Sequence, residues 1–138
     1  CIKGKTTNFI KLEKGLSPKV KFNYTNGFYY TIKDPKRWII SSGTNIFDIY
    51  AQKKYKNHSL ANLAITGSFN EKFFKKYLNN YYELVVYDET FTYGGLYSHI
   101  STLLSITNDR KIVNKTFKNR FIQQKYNRDI LRRKYGAI

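Results

Sequence analysis

Cysteine appears once in this sequence, at Cys1, histidine and proline twice each, and methionine nowhere. A single thiol closes no intrachain disulfide, and Cys1 with His58 and His99 is too small a set for a structural zinc site, so neither a staple nor a metal is expected. Acidic residues are scarce too: nine, against 25 Lys and Arg, for a formal charge of +16. No run of about 18 apolar residues occurs, and the first thirty or so residues lack the apolar centre of a signal peptide. Neither a membrane span nor secretion is indicated, and a cytoplasmic location is the expectation.

What is present suffices for one folded domain. At 138 residues, 41% apolar and 17% aromatic, the chain has too much buriable surface for a disordered segment despite its charge. Only Arg37, Arg110, Arg120, Arg128, Arg132 and Arg133 are arginines; the other cations are lysines. Lys, Asn, Ile, Tyr and Phe supply half the chain, the bias of an A/T-rich coding sequence. The charge therefore does not by itself call for a nucleic-acid partner.

Residues 1–27 carry Gly4, Gly15, Pro18 and Gly27 around one apolar run, Asn8 to Leu12, and read as a strand plus linker. The compact domain is expected over 28–138. Phe28 to Ile32 and Trp38 to Ser42 are short β-type runs separated by Asp34-Pro35. Across 44–56, Ile46, Phe47, Tyr50, Ala51 and Lys54 recur at helical spacing, which predicts a helix after Gly43. The unit then repeats: a strand over 60–65, a capping box from Ser68 to Glu71, and a helix with Phe73, Phe74, Tyr77 and Leu78 inward. A third unit has the strand Glu83 to Tyr87, a turn from Asp88 to Tyr93, Gly94-Gly95, and a helix burying Leu96, Ile100, Leu103 and Leu104. A last strand is predicted over 111–117. A terminal helix over 127–135 points Ile130, Leu131 and Tyr135 inward and Arg128, Arg132 and Lys134 outward, and stops at Gly136.

Strands alternating with helices imply right-handed crossovers and a mostly parallel sheet. Only Lys33 to Arg37 separates the first two strands, too short a link for a crossover, so within one sheet those two run antiparallel. The expected fold is α/β: a three-layer α/β/α domain with a five-stranded mixed sheet, the first strand antiparallel and the other four parallel.

An open parallel sheet binds ligands beyond the carboxyl ends of its strands. The loops there are Ser41-Ser42-Gly43-Thr44, Thr66-Gly67-Ser68 and Asp88 through Gly95. Gly94-Gly95 opening a helix lets backbone approach a neighbour or frees N–H groups for an anion. Without G-x-G-x-x-G spacing or the Lys-Ser/Thr of a P-loop, close packing is the preferred reading. Asp88 and Glu89, adjacent on a strand end, point apart and do not form an acid and base pair on one bond. His99, next to the core-facing Ile100, reads as a partly buried or interface residue, and His58 is assigned no role. There is no nucleophile elbow, Cys/His couple or carboxylate cluster, so no catalytic residue and no metal ligand is assigned. Arg128, Arg132, Arg133 and Lys134 read as a solvated face, since a stacking signature or recognition helix is missing and nucleic acid is not an expected partner.

Taken together, several stretches resemble the C-terminal domain of the transketolase family, and within it 1-deoxy-D-xylulose-5-phosphate synthase. Leu84-Val85-Val86-Tyr87-Asp88-Glu89 followed by Gly94-Gly95-Leu96-Tyr97-Ser98 is similar to that domain's strand, acidic pair and Gly-Gly-x-x-Ser segment. Phe121-Ile122-Gln123-Gln124, then Asp129-Ile130-Leu131 and Lys134-Tyr135-Gly136, looks like the synthase's closing segment, with Lys125 where the family pattern has glycine. Ile10 to Gly15 is similar to the Ile-Arg-Tyr-Pro-Arg-Gly that joins the middle domain to the last. Trp38 to Gly43 matches the hydrophobic strand ending in Ser-Gly. The landmarks come in the family's order and cover nearly the whole chain.

The resemblance implies that residues 1–27 are the last strand of a preceding domain plus linker, and 28–138 the third domain of a homodimeric enzyme. Thiamine diphosphate and Mg2+ would lie in the upstream domains of the same chain, with none in this stretch. The parent would join pyruvate, after loss of CO2, to the sugar phosphate glyceraldehyde 3-phosphate. This domain would then serve assembly, with Asp88, Glu89, Gly94, Gly95 and His99 in domain and dimer packing. The family's substrate-phosphate arginines map to Lys11 and Lys14, which keep the charge but lack the bidentate fork. Two other readings stay open. One is a transketolase proper or the beta subunit of a 2-oxoacid dehydrogenase, and the other is a stand-alone basic module that binds nucleic acid.

Overall fold

The computed structural model describes residues 21–25, 28–43, 45–63, 76–104, 110–118 and 127–135. Among them are six strands: β1 (Asn23–Thr25), β2 (Phe28–Thr31), β3 (Arg37–Ser42), β4 (Ser59–Leu63), β5 (Glu83–Phe91) and β6 (Lys111–Phe117). Among the described residues the helices are α1 (Asn45–Tyr50), a 3-10 turn (Lys53–Tyr55), α2 (Leu96–Leu104) and α3 (Arg128–Tyr135), and residues 76–78 are also helical. The strands form one sheet in the order β1-β2-β4-β3-β5-β6. β3, β4, β5 and β6 are mutually parallel. β2 runs antiparallel to β4, and β1 antiparallel to β2.

The α/β fold with one antiparallel and four parallel strands is as expected, with a sixth strand added. β1 falls in the stretch that read as linker. Its signal was in the sequence: Tyr24-Thr25-Asn26-Gly27-Phe28-Tyr29 places Asn-Gly between two β-prone pairs, the strongest short hairpin signature. β2 and β3 do share a sheet and run antiparallel, but β4 lies between them.

The core has two sides because the central strands are covered on both faces, which is why they read as continuous apolar runs. Trp38, Ile40, Leu84 and Val86 face one way, against Leu78, Leu96 and Ile100. Ile39, Val85 and Tyr87 face the other way, against Ile46 and Ile49 of α1. Trp38, Ile39 and Ile40 are fully buried, each worth about 1.5–3 kcal/mol of apolar burial. The Trp38 indole N–H donates to the Pro35 carbonyl at 2.9 Å, so its polar edge is satisfied inside.

Three local readings need correction. The helix expected over 44–56 stops at Tyr50 and resumes as the 3-10 turn; its buried residues are Asn45, Ile46 and Ile49, and Tyr50 faces solvent. β5 does not turn at Asp88 but runs to Phe91, with its pairing to β6 irregular between Tyr87 and Phe91. In α3 the inward side chains are Arg132 and Tyr135, while Ile130 is 45% exposed. The helix begins where expected, with Asn127 Oδ1 accepting the Ile130 N–H at 2.9 Å as an N-cap. The Ser68 to Glu71 capping box, Phe73, Phe74, Phe121 to Gln124 and Gly136 lie outside the described residues, as do Lys11 and Lys14.

Candidate functional site

β3 leads over one face to β4 on one side of it, whereas β5 lies on its other side and leads on to β6. The strand order therefore reverses between the carboxyl ends of β3 and β5, where an open α/β sheet leaves a crevice. Ser42 ends β3 and Asp88 stands opposite on β5. Asp88 is 3% exposed, and each of its oxygens accepts one hydroxyl: Oδ1 from Ser42 at 2.5 Å and Oδ2 from Thr90 at 2.5 Å. An ionised carboxylate is acceptor-only, so two hydroxyl donors suit it and compensate its burial. Thr90 Oγ1 in turn accepts the Leu96 N–H at 3.4 Å, linking the network to the start of α2.

The glycines set how closely this turn folds. Gly94 has φ +75°, in the left-handed region that favours glycine. At Gly95 a β-carbon would stand 2.2 Å from Thr90 Oγ1 and 2.3 Å from the Phe91 carbonyl oxygen, so only glycine fits. The loop after β5 is pinned to β6 by the Thr92 hydroxyl 3.0 Å from that of Thr116, and by the Thr92 N–H donating to Phe117 O at 3.1 Å. The result is a cavity of about 270 Å³ lined by Ser42, Asp88, Thr90, Gly95, Leu96 and His99 among others. His99 stands at its rim, exposed on the second turn of α2.

Asp88 and Glu89 do point apart. Glu89 turns to the α1 face, where Arg128 Nε donates to its Oε1 at 2.7 Å and Arg132 Nε donates to the same oxygen. Sequence reasoning missed this cluster. Arg132 is 4% exposed, and its other nitrogens donate to Asp48 Oδ2 at 2.8 Å and Asn45 Oδ1 at 2.7 Å. Burial pushes the guanidinium pKa down, but the Glu89 hydrogen bond and charge outweigh it and the value ends above that of a free arginine. Beside it the buried Tyr87 hydroxyl makes no hydrogen bond to a described residue, and burial pushes its pKa up to about 12. The available signal was the spacing of 128, 132 and 135, which share one helix face.

At the opposite, amino end of the strands the structure places His58, to which no role was given, inside the fold at 6% exposure. Its Nε2 lies 3.3 Å from Glu83 Oε2, and Lys111 Nζ lies 2.7 Å from Glu83 Oε1. The Lys111 hydrogen bond, reinforced by His58 and opposed by burial, holds Glu83 below the usual carboxylate range. Among the described residues no three His, Cys, Asp or Glu side chains come together as a metal site. Among the described residues that line the crevice Asp88 is the one carboxylate, and both of its oxygens are engaged.

No helix among the described residues is long and apolar enough to cross a membrane. No protein-family model matches the sequence, and no curated protein matches it. Among solved structures, a chain described as "Split gene transketolase, inactive beta4 tetramer" matches with a TM-score of 0.65 and 19% identity. The match covers 91% of this chain and 42% of that one, so this chain spans less than half the length of its structural neighbour. At such identity the likeness is one of fold: the protein has the mixed α/β architecture of a transketolase C-terminal domain.

Proposed function

We propose that this chain is the C-terminal domain of a thiamine-diphosphate-dependent enzyme of the transketolase family, closest in kind to 1-deoxy-D-xylulose-5-phosphate synthase. The observation that carries the reading is the fold likeness to a transketolase over 91% of the chain, joined to sequence landmarks that follow the synthase's order. The parent would condense pyruvate with glyceraldehyde 3-phosphate, with thiamine diphosphate and Mg2+ held by polypeptide other than the described residues. The neighbour is named as the product of a split gene, so that polypeptide is either the same chain or a separate one.

On this reading the domain contributes packing. The Ser42–Asp88–Thr90 network and the Gly95 contact hold the loop after β5 rigid. The end of β5 and that loop present Phe91 and Tyr93, 44% and 78% exposed, next to Gly94 and His99. Exposed aromatics on a stiff loop are what a neighbouring domain or a second subunit covers. Lys11 and Lys14 would face the phosphate of the acceptor.

The test is the enzyme reconstituted with its thiamine-binding portion, in one chain or two. Release of CO2 from pyruvate that depends on thiamine diphosphate, Mg2+ and glyceraldehyde 3-phosphate is the expected result. Lys11→Ala should then raise the KM for the phosphorylated acceptor several-fold more than that for pyruvate; equal effects remove Lys11 from the phosphate site. The second reading, ketol transfer as in transketolase proper, draws on the neighbour's own name. It predicts turnover with a ketose phosphate as donor and none with pyruvate.

A further inference from the structure

A second cavity, of about 340 Å³, opens on the α1 face of the sheet at the amino ends of the strands, away from the crevice between β3 and β5. Its floor is Val85 of β5 and Val113 of β6, which are register partners. Side chains two residues apart on a strand share a face, so Lys111 and Lys115 rise from β6 on either side of Val113. The 3-10 turn supplies the opposite wall with Lys54 and Tyr55. Three ammonium groups therefore surround one small apolar-floored space.

The single carboxylate there cannot neutralise them. Both oxygens of Glu83 are occupied, Oε1 by Lys111 at 2.7 Å and Oε2 by His58 at 3.3 Å. The other ring nitrogen of His58, Nδ1, is buried and makes no hydrogen bond to a described residue. Among the described residues Lys54 has only the face of Tyr55, 4.6 Å from its Nζ to the ring centroid, and Lys115 forms no ion pair. Like charges gathered in a concavity with low-dielectric walls concentrate a counter-anion.

We propose that this cavity binds a small phosphorylated anion, with Lys54 and Lys115 as its ligands and Glu83 holding Lys111 in place beside them. Ammonium groups act as point charges that meet phosphoryl oxygens from any direction, whereas a planar carboxylate is better matched by the arginine fork, which this cavity lacks. The volume is that of a small-molecule site rather than a nucleic-acid groove. The valine floor and Tyr55 suit the carbon skeleton that carries the phosphoryl group. The site stands independently of the thiamine-enzyme reading.

The experiment is a titration of the isotopically labelled 138-residue chain with inorganic pyrophosphate at about 0.15 M salt, followed by amide shifts in two-dimensional NMR spectra. Saturable shifts concentrated at Tyr55, Val85, Val113 and Lys115 are expected. The double variant Lys54→Gln with Lys115→Gln should weaken binding by at least about tenfold, since each lost charge-assisted contact is worth roughly that factor. A control pair outside the cavity, Lys21→Gln with Lys36→Gln, lowers the net charge equally and should leave the affinity within about twofold. Absence of saturation overturns the proposal, as does an equal loss in both double variants, which would make the binding a bulk effect of the chain's charge.

Discussion

Replacing Arg132 with alanine tests the orientation of α3 and the polar cluster around its guanidinium at once. The side chain is 5% exposed and reaches Glu89, Asp48 and Asn45 from one guanidinium. Removing one partner of a fully buried pair costs about 3–5 kcal/mol, because the other charge is stranded. Here Glu89 is 25% and Asp48 52% exposed, and Arg128 still reaches Glu89 and Asn45. Partial resolvation therefore lowers the expected cost to about 2–3 kcal/mol. At roughly 3–5 °C per kcal/mol for a chain of this size, the Tm should fall by about 6–15 °C. Arg132→Lys, which keeps the charge but not the fork, should cost about half as much. Ile130→Ala, on the exposed side, should cost under about 0.5 kcal/mol. Urea unfolding followed by tryptophan fluorescence reads all three. If Ile130→Ala costs more than Arg132→Ala, α3 is rotated with its apolar side inward and the cluster argument fails.

Three further measurements bear on the same structure. Tyr87→Phe removes a buried hydroxyl that has no partner among the described residues and should stabilise the protein by about 1 kcal/mol; a loss of stability would mean that the hydroxyl is bonded. Glu83 titrates below its ordinary value of 4.5, so its stabilising effect is complete above that pH and disappears as pH falls through the folded-state value. The urea midpoint of the parent should therefore drop more than that of Glu83→Gln on acidification below 4.5, and parallel curves would deny the Lys111 and His58 pairing. Gly95→Ala should cost at least about 2 kcal/mol, because the backbone carbonyl it meets cannot swing away. Gly43→Ala, with φ +66° but open space around it, should cost only the left-handed backbone term of about 1–2 kcal/mol, and differential scanning calorimetry separates the two.

Period and connection length determined most of the architecture. The continuous apolar runs around Ile39 and Val85 needed cover on both faces, the five-residue link after Ile32 forbade a crossover, and the spacing from Leu96 to Ile100 required a helix. Those are local properties, and they carry over directly into a mixed, mostly parallel sheet. The carboxyl-end loops also follow from that topology, which is why Asp88, Gly94 and Gly95 stood out before their contacts were known.

What only the tertiary structure decided is partner identity across long separations. Hydrophobic patterning sent Ile130 inward and Arg132 outward, yet Asn45, Asp48 and Glu89, from two other elements, make the buried guanidinium better satisfied than a buried isoleucine would be. His58 had no acidic neighbour in sequence and finds Glu83 only because β4 and β5 flank β3. Strand order likewise waited on the fold: nothing in the chain from 37 to 63 states that β4 must insert between β2 and β3, since that choice is set by which edges remain to be paired. Periodicity records whether a side chain is buried on average, and charge pairing then selects among the faces that periodicity leaves nearly equal.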